Sequence, residues 1–583
     1  MSENSNEKIE SIDFSSIKRE SMLAKLKSEE FDLLVIGGGV TGAGIARDAT
    51  ARGLSVALVD KNDFAFGTSS RSSKMAHGGF RYLKSMEFKL VKESEAERNW
   101  LRGALPHLVR PLMMFVPSFD GDTLTMGSLK LGIFFYNYLD KGKNYKKHFA
   151  IKDPAKIGSI EPTLELKGLQ GSVVLYDTNV DDARLTIETV KEAVLTGRCV
   201  ALNYVKVDKL EHDATGKCSG ALVVDQEAKG DPFLVKAKIV VNATGIWTDE
   251  VMQKKPAGYP DKVIRPTKGV HIAFKHEDIP INNAFGINSK IDGRFFFVLR
   301  RENYVLIGTT DTDFKENPDE PVCTEKDAEY LLTTVRLRFP NANVSYDRML
   351  GCYAGVRPLA VKKAKEGEES ESAVSRDHEI IRADDDLVSI CGGKLTTFRA
   401  MAEDLMLKEV LPLAKVKIPG KTFDGKKNIV RKNYLIGMKR DEWDASDIVK
   451  EFKEKKLLDD EQLSNIFKEY GRGGMVVLQY AKDDKKMLER VVPDEDTRYA
   501  PWIMAEIKYT ILHDAPVHLV DILARRLEFQ WTVHPSKQPA AARKVAALAS
   551  AMLGWNSARS SDEVKQYLAY EKKNAFFYSK PLE

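Results

Sequence analysis

The chain is poor in cysteine, and its few thiols are not arranged for chemistry. Its 583 residues include five cysteines, Cys199, Cys218, Cys323, Cys352 and Cys391. No two form a CxxC pair, and Cys and His nowhere take metal-ligand spacing, so neither a disulfide scaffold nor a metal centre is expected. The thiols read as reduced and buried. No apolar run reaches about 18 residues, which argues against a transmembrane helix. The opening residues, Met-Ser-Glu-Asn-Ser-Asn-Glu, carry acids and no apolar core, unlike a secretory or transit segment. A charge excess of one sign is lacking too: 89 Lys and Arg against 85 Asp and Glu leave a net +4. That balance supplies no basic stripe for nucleic acid, although segregated lysines would still attract an anionic surface. The expected setting is cytoplasmic, with at most peripheral contact on the inner face of the cell membrane.

What is present is enough chain for two to four domains. Residues 1–30 are polar, with an amphipathic stretch over 17–26 that predicts a surface helix. From Phe31 the pattern becomes strand, Gly-rich turn, helix, strand: an apolar run over 33–36, then a second over 56–59. That order begins a doubly wound α/β sheet. Between about 127 and 322, short β-rich runs (171–176, 238–241, 270–274, 295–299, 304–308) suit an antiparallel sheet beside it. Residues 362–375 are charged and rich in Gly, Ser and Glu, a solvated loop. A Lys-rich linker over 415–432 precedes helical periodicity at 459–470, 500–512, 516–531 and 540–553. The expected organisation is a 1–30 extension, a 31–412 dinucleotide domain with interleaved substrate-domain parts near 85–160 and 262–380, and an all-helical 413–583 domain.

Gly37-Gly38-Gly39-Val40-Thr41-Gly42 fits GxGxxG after a predicted strand. Gly37 permits the tight turn, Gly39 lets pyrophosphate approach the backbone, and Gly42 lets helix and strand pack closely. The helix start offers free N–H groups and a positive dipole end to phosphates. Asp60 ends the second strand, placed to accept from ribose hydroxyls. This motif does not separate FAD from NAD. A strand ending in Ala243-Thr244-Gly245 resembles the second nucleotide motif of two-dinucleotide-fold flavoproteins. Gly392-Gly-Lys394-Leu395-Thr396-Thr397 then opens a helix over 398–411, whose dipole would stabilise negative charge on a reduced flavin.

With these motifs in hand, the chain resembles FAD-dependent glycerol-3-phosphate dehydrogenases from about residue 31 to 400. The stretches that carry the likeness are the fingerprint, Gly67–Lys74 (GTSSRSSK), His77–Leu83 (HGGFRYL), Asp181–Leu185 (DDARL), Lys268–His271 (KGVH), Gly308–Asp311 (GTTD), Gly355–Leu359 (GVRPL), Ser375–His378 (SRDH) and Gly392–Thr397. The helical tail, with Asp521-Ile-Leu-Ala-Arg525-Arg526, is similar less distinctively. Asp60 stands where many members carry Glu, a shorter arm with the same acceptor. The mitochondrial members' targeting sequence and some animal relatives' calcium loop are missing from the pattern.

The resemblance implies FAD, a Rossmann-like FAD-binding domain, glycerol 3-phosphate as substrate and a quinone as electron acceptor, with dioxygen the alternative. A homodimer stays open. Oxidising a small dianionic alcohol requires cations for phosphate and a base near the hydroxyl. Arg81 and Lys394 are assigned mainly to phosphate, beside Tyr82. His271, in the apolar strand 270–274, is the expected general base, titrating near neutrality but pulled down by burial and nearby cations. Arg357, held extended by Pro358, is expected to stabilise developing alkoxide charge; a water held by it is the other candidate base. Thr68, Ser69, Ser70 and Ser73 are expected on the pyrophosphate and ribityl chain, and the Val207 backbone on adenine. An apolar-aromatic stretch over 131–139 with Phe134-Phe135-Tyr136, followed by a basic cluster over 141–147, suits an interfacial anchor, the other reading being a core helix with a solvated loop. Competing readings are a dioxygen-using oxidase, an amino-acid oxidase, for which the set Arg81, Arg357 and Lys394 carries more cations than a carboxylate needs, and a non-catalytic FAD-binding regulator.

Overall fold

The computed structural model describes residues 9, 12 and 14–578, apart from 141, 229, 254–261, 362–373, 376 and 432–433. The solvated loop expected over 362–375 therefore lies outside the described residues, except for the short strand Val374–Ser375.

Among the described residues, one sheet has eight strands. Its main path runs His378–Arg382, Val388–Gly392, Phe233–Asn242, Glu30–Ile36, Val56–Val59, Cys199–Leu202. From Val388–Gly392 to Cys199–Leu202 every pair is parallel. The apolar runs at 33–36 and 56–59 pair in register, Leu33 with Val56 through Ile36 with Val59. Strand parity divides their side chains between two cores. Leu33, Val35, Val56 and Leu58 pack against helices Val40–Ala51, Asp182–Val194 and Phe398–Leu405. Leu34, Ile36, Ala57 and Val59 pack under Met22 and Leu26 of helix Arg19–Ser28 and under the hairpin Val205–His212/Cys218–Asp225. The run at 238–241, expected in the antiparallel sheet, is instead the strand beside Glu30–Ile36. β-propensity gave the strand but not its partner.

The second sheet has ten strands, in the order Val374–Ser375, Gly351–Val361, Ile264–Lys275, Tyr304–Gly308, Phe295–Arg301, Ala284–Asn288, Arg110–Phe119, Leu169–Asn179, Phe149–Ile151, with Thr312–Asp313 against Ile264–Lys275. All pairs are antiparallel except Ala284–Asn288 with Arg110–Phe119, so the sheet is mixed. Val270, Ile272 and Phe274 turn to helix Glu325–Arg338; Ala273, Leu306 and Tyr353 turn to the layer holding Tyr136 of helix Met126–Asp140.

The helical run beginning at Phe398 continues through a π turn to Lys417 and packs in the nucleotide-sheet core through Leu411, Leu413 and Ala414. Helices from Arg440–Ala445 onward build a core around Trp443, Tyr470, Tyr509 and Tyr567 that also takes in Leu101, Leu185 and Phe398. None of the five cysteines is in a disulfide, and all are buried. No helix among the described residues is long and apolar enough to cross a membrane.

Candidate active site

The turn after Glu30–Ile36 is built for close approach. Gly37 has φ +109°, and a Cβ there would lie 2.6 Å from the Ala243 carbonyl oxygen. A Cβ on Gly42 would sit on the Gly37 carbonyl oxygen, so only glycine lets helix Val40–Ala51 close on the strand. Gly39 differs: a Cβ there would meet only the Ser69 hydroxyl, at 3.2 Å. That open side faces a cavity of about 550 Å³, within the ordinary range for a ligand site.

One stretch of the cavity wall gathers residues expected to cradle the nucleotide. Gly37, Gly39, Asp60, Thr68, Ser69, Val207, Ala243, Thr244 and Gly245 all line it. Asp60 accepts from Gly38 N–H at 2.6 Å and Asn62 N–H at 2.8 Å. Burial nonetheless lifts its pKa to about 7, those two donors opposing the rise. Thr68 donates to the Val356 carbonyl, 2.6 Å, and the Val40 N–H donates to Ser69 Oγ, 2.9 Å. Gly42, Ser70 and Thr396 do not contribute to the wall; Gly42 acts through packing, and the Ser70 carbonyl faces Lys74. A carboxylate at the end of the second strand, an open glycine and an adjoining helix N-terminus fit the FAD that the sequence implies.

Another stretch of wall gathers Arg81, Tyr82, Arg357, Gly392, Lys394 and Leu395. Arg81 is exposed, while Tyr82 is buried with the Lys394 ammonium 4.0 Å from its ring centroid. Arg357, opposite Thr267 in the ladder, donates to Thr309 Oγ1 at 2.8 Å, the Thr310 carbonyl at 3.2 Å and Asp311 at 3.1 Å. Its guanidinium is thus aimed by the Gly308–Asp311 segment.

His271 stands one layer back. It is 2 % exposed and absent from the wall; Ser73, which does line the cavity, places Oγ 3.0 Å from His271 Nε2. The imidazole stacks on Tyr353 with centroids 5.0 Å apart. Burial first, then the charges of Arg357 and Lys74, press its pKa down to about 3. The direction agrees with expectation, but the value lies well below neutrality, because no carboxylate partners the ring.

The sequence reading gave no role to His77, which does line the cavity. Its Nδ1 accepts from the Gly79 N–H at 3.1 Å, which leaves the proton of the neutral ring on Nε2. Burial, against Asp177 and with Lys394 and Arg81, lowers its pKa to about 4. In the neutral ring His77 thus carries its N–H on Nε2. It was legible inside HGGFRYL, as Asp311 and Thr309 were inside GTTD. Phe295 and Phe297, also on the wall, carried no local signal.

Residues 32–402 match the family model described as FAD dependent oxidoreductase, and residues 429–560 the C-terminal domain of alpha-glycerophosphate oxidase. An aerobic glycerol-3-phosphate dehydrogenase of Staphylococcus epidermidis is 33% identical over 525 residues, covering 88% of this chain and 89% of the relative. One from Staphylococcus aureus is 37% identical over 392 residues, covering 67% and 69%. Among solved structures, the glycerol-3-phosphate dehydrogenase from Bacillus halodurans complexed with FAD superimposes with a TM-score of 0.73 at 27% identity, covering 97% of this chain and all of that one.

Proposed function

The chain belongs to the FAD dependent oxidoreductase family and carries the C-terminal domain of alpha-glycerophosphate oxidase, and on that footing we propose that it oxidises sn-glycerol 3-phosphate to dihydroxyacetone phosphate. The observation that carries this reading is that Arg81, Lys394 and Arg357 converge on the same cavity wall as the nucleotide cradle. Bound FAD supplies the acceptor for the hydride leaving C2. Arg81 and Lys394 hold the phosphate dianion, the former as a fork and the latter as a point charge. Arg357, braced by Thr309 and Asp311, faces the negative charge that grows on the C2 oxygen. The hydroxyl proton goes to the Ser73–His271 pair: Ser73 Oγ receives it while its own proton passes to His271 Nε2. His77, a fixed Nε2–H donor, adds a neutral hydrogen bond at the wall. Anaerobic addition of glycerol 3-phosphate should bleach the yellow protein, whereas an unbleached flavin refutes the substrate.

A quinone is the proposed acceptor. Helix Met126–Asp140 supports it by exposing Leu131 (58 %), Phe134 (64 %) and Tyr138 (72 %) on one side, followed in the chain by exposed Lys143, Lys146 and Lys147. Tyr136, expected in the anchor, is buried instead. An apolar face rimmed by lysines suits the surface of an anionic bilayer in which a quinone dissolves. Reoxidation of the bleached enzyme by a quinone analogue, compared with dioxygen, identifies the acceptor. Sedimentation with anionic vesicles tests the surface.

A further inference from the structure

Behind Ser73 lies a buried charge cluster that the proposed chemistry does not use. Ligand oxygens of Asp181, Asp182 and Glu528 lie within 4.8 Å of one another, the spacing of a cation site. The cation there is the Lys74 ammonium. Lys74 is 1 % exposed; its Nζ is 2.7 Å from Asp182 Oδ1 and 2.6 Å from Glu528 Oε1. Both Lys74 and Glu528 hold left-handed backbone, φ 52° and 53°, a conformation unfavourable for a side-chain-bearing residue.

The cluster grips the segment that faces His271. The other Asp182 oxygen accepts from both the N–H and the hydroxyl of Ser72, at 3.0 and 2.6 Å. The Ser72 carbonyl accepts from the Tyr353 hydroxyl, 2.7 Å, and Tyr353 is the ring stacked on His271. Arg301 donates to the Lys74 carbonyl, 3.2 Å, and lies 3.6 Å from the second Glu528 oxygen. Ser73, between these two clamped residues, carries the hydroxyl that meets His271 Nε2. Most of this set belongs to the 32–402 segment; Glu528 belongs to the 429–560 segment.

We infer that Glu528 is a positioning residue: through Lys74 it holds the Ser72–Ser73–Lys74 turn so that Ser73 Oγ stays on His271 Nε2, and the helical C-terminal domain thereby completes the active site. The Lys74 ammonium sits between Asp182 and Glu528 and so ties the turn to both carboxylates. A buried ion pair of this kind is poor evidence for net stability and better suited to fixing geometry. The inference rests on the reading of Ser73 and His271 as the proton-accepting pair.

The test uses holoenzyme carrying Glu528→Ala or Glu528→Gln, with flavin content checked first. In protein labelled with 15N-histidine, His271→Asn assigns the His271 signals among the ten histidines. Wild type should show the Nδ1–H tautomer, the one in which Nε2 accepts from the Ser73 hydroxyl; Glu528→Ala should mix in the Nε2–H tautomer or broaden the signal. Anaerobic flavin reduction should slow roughly 10- to 100-fold, as misplacement of a reacting group does, with substrate affinity within about 2-fold. If Glu528→Ala loses flavin, Glu528→Gln decides, because its amide removes the charge opposite Lys74 while keeping the side chain's size. A folded, flavin-loaded variant with an unchanged single-tautomer signal overturns the inference. Its failure is separable from that of the base reading: wild-type flavin reduction by His271→Asn would reject His271 as base, while the tautomer signal still decides the role of Glu528.

Discussion

Ser73 Oγ lies 3.0 Å from His271 Nε2, and it is the serine, not the imidazole, that forms the cavity wall. A base placed behind a hydroxyl depends on that hydroxyl for contact with substrate. Ser73→Ala should therefore slow flavin reduction nearly as much as His271→Asn, and the double variant should lose little more, since residues acting as a unit are not additive. Additive losses in stopped-flow measurements would separate the two roles.

Arg81→Ala and Lys394→Ala should each lower kcat/KM for glycerol 3-phosphate by about 30- to 1000-fold, the range for losing a charged contact. Arg81 is exposed and Lys394 is half-buried against Tyr82, so the lysine should be the costlier loss, because water screens it less. Glycerol, lacking phosphate, should show little further loss. Equal losses for both substrates would assign these residues to chemistry or folding.

Much of this arrangement was legible locally, and the reasons it was incomplete are physical. The strands at 33–36 and 56–59 declare themselves because both faces are covered, giving continuous apolar runs. Alternation also set His271 on the face opposite Val270 and Ile272. Its partner Ser73 lies 198 residues away, and no local pattern encodes that distance. The same limit sent 238–241 to the wrong sheet. In 134–136, helical spacing rather than composition decides exposure, which is why Phe134 faces out and Tyr136 in.

Asp60 should make FAD uptake by apo-protein depend on pH. Burial raises its carboxyl to about 7, so at lower pH it is protonated and must lose that proton to accept fully from ribose hydroxyls. Affinity should fall as pH drops below 7, by up to about 10-fold per unit. Asp60→Asn should bind FAD weakly and without this slope. A wild-type affinity flat from pH 5 to 8 would remove Asp60 from the ribose.

His518 joins the C-terminal domain to the nucleotide domain, with Nε2 2.9 Å from Glu227 and Nδ1 2.8 Å from Glu563. Burial opposes its charge, but hydrogen bonds to the two carboxylates outweigh it and lift the pKa to about 10. A group raised in the folded state stabilises fully below its unfolded pKa, near 6.5, and loses that contribution as pH climbs through 10. His518→Gln should therefore lower Tm most at pH 6 and least near pH 10. A Tm difference constant across that window would show that the pair contributes nothing linked to protons.

His271→Asn removes the basic nitrogen while keeping some size and polarity. FAD should still bind, because the cradle residues around Gly39 and Asp60 are distinct from it. Flavin reduction in anaerobic rapid mixing should slow by roughly 10²- to 10⁴-fold, the range for a positioned general base. The pH profile adds a second constraint. With its pKa held near 3 by burial, Arg357 and Lys74, free-enzyme His271 is neutral from pH 5 to 9, so kcat/KM should show no ionisation of its own in that window. An acidic limb near pH 6 that vanishes in the Asn variant would mean that the ring is less buried in solution than in this structure. If the Asn variant reduces flavin within a few-fold of wild type, His271 is not the base. The alkoxide then forms beside Arg357, whose fixed guanidinium would orient a water to take the proton.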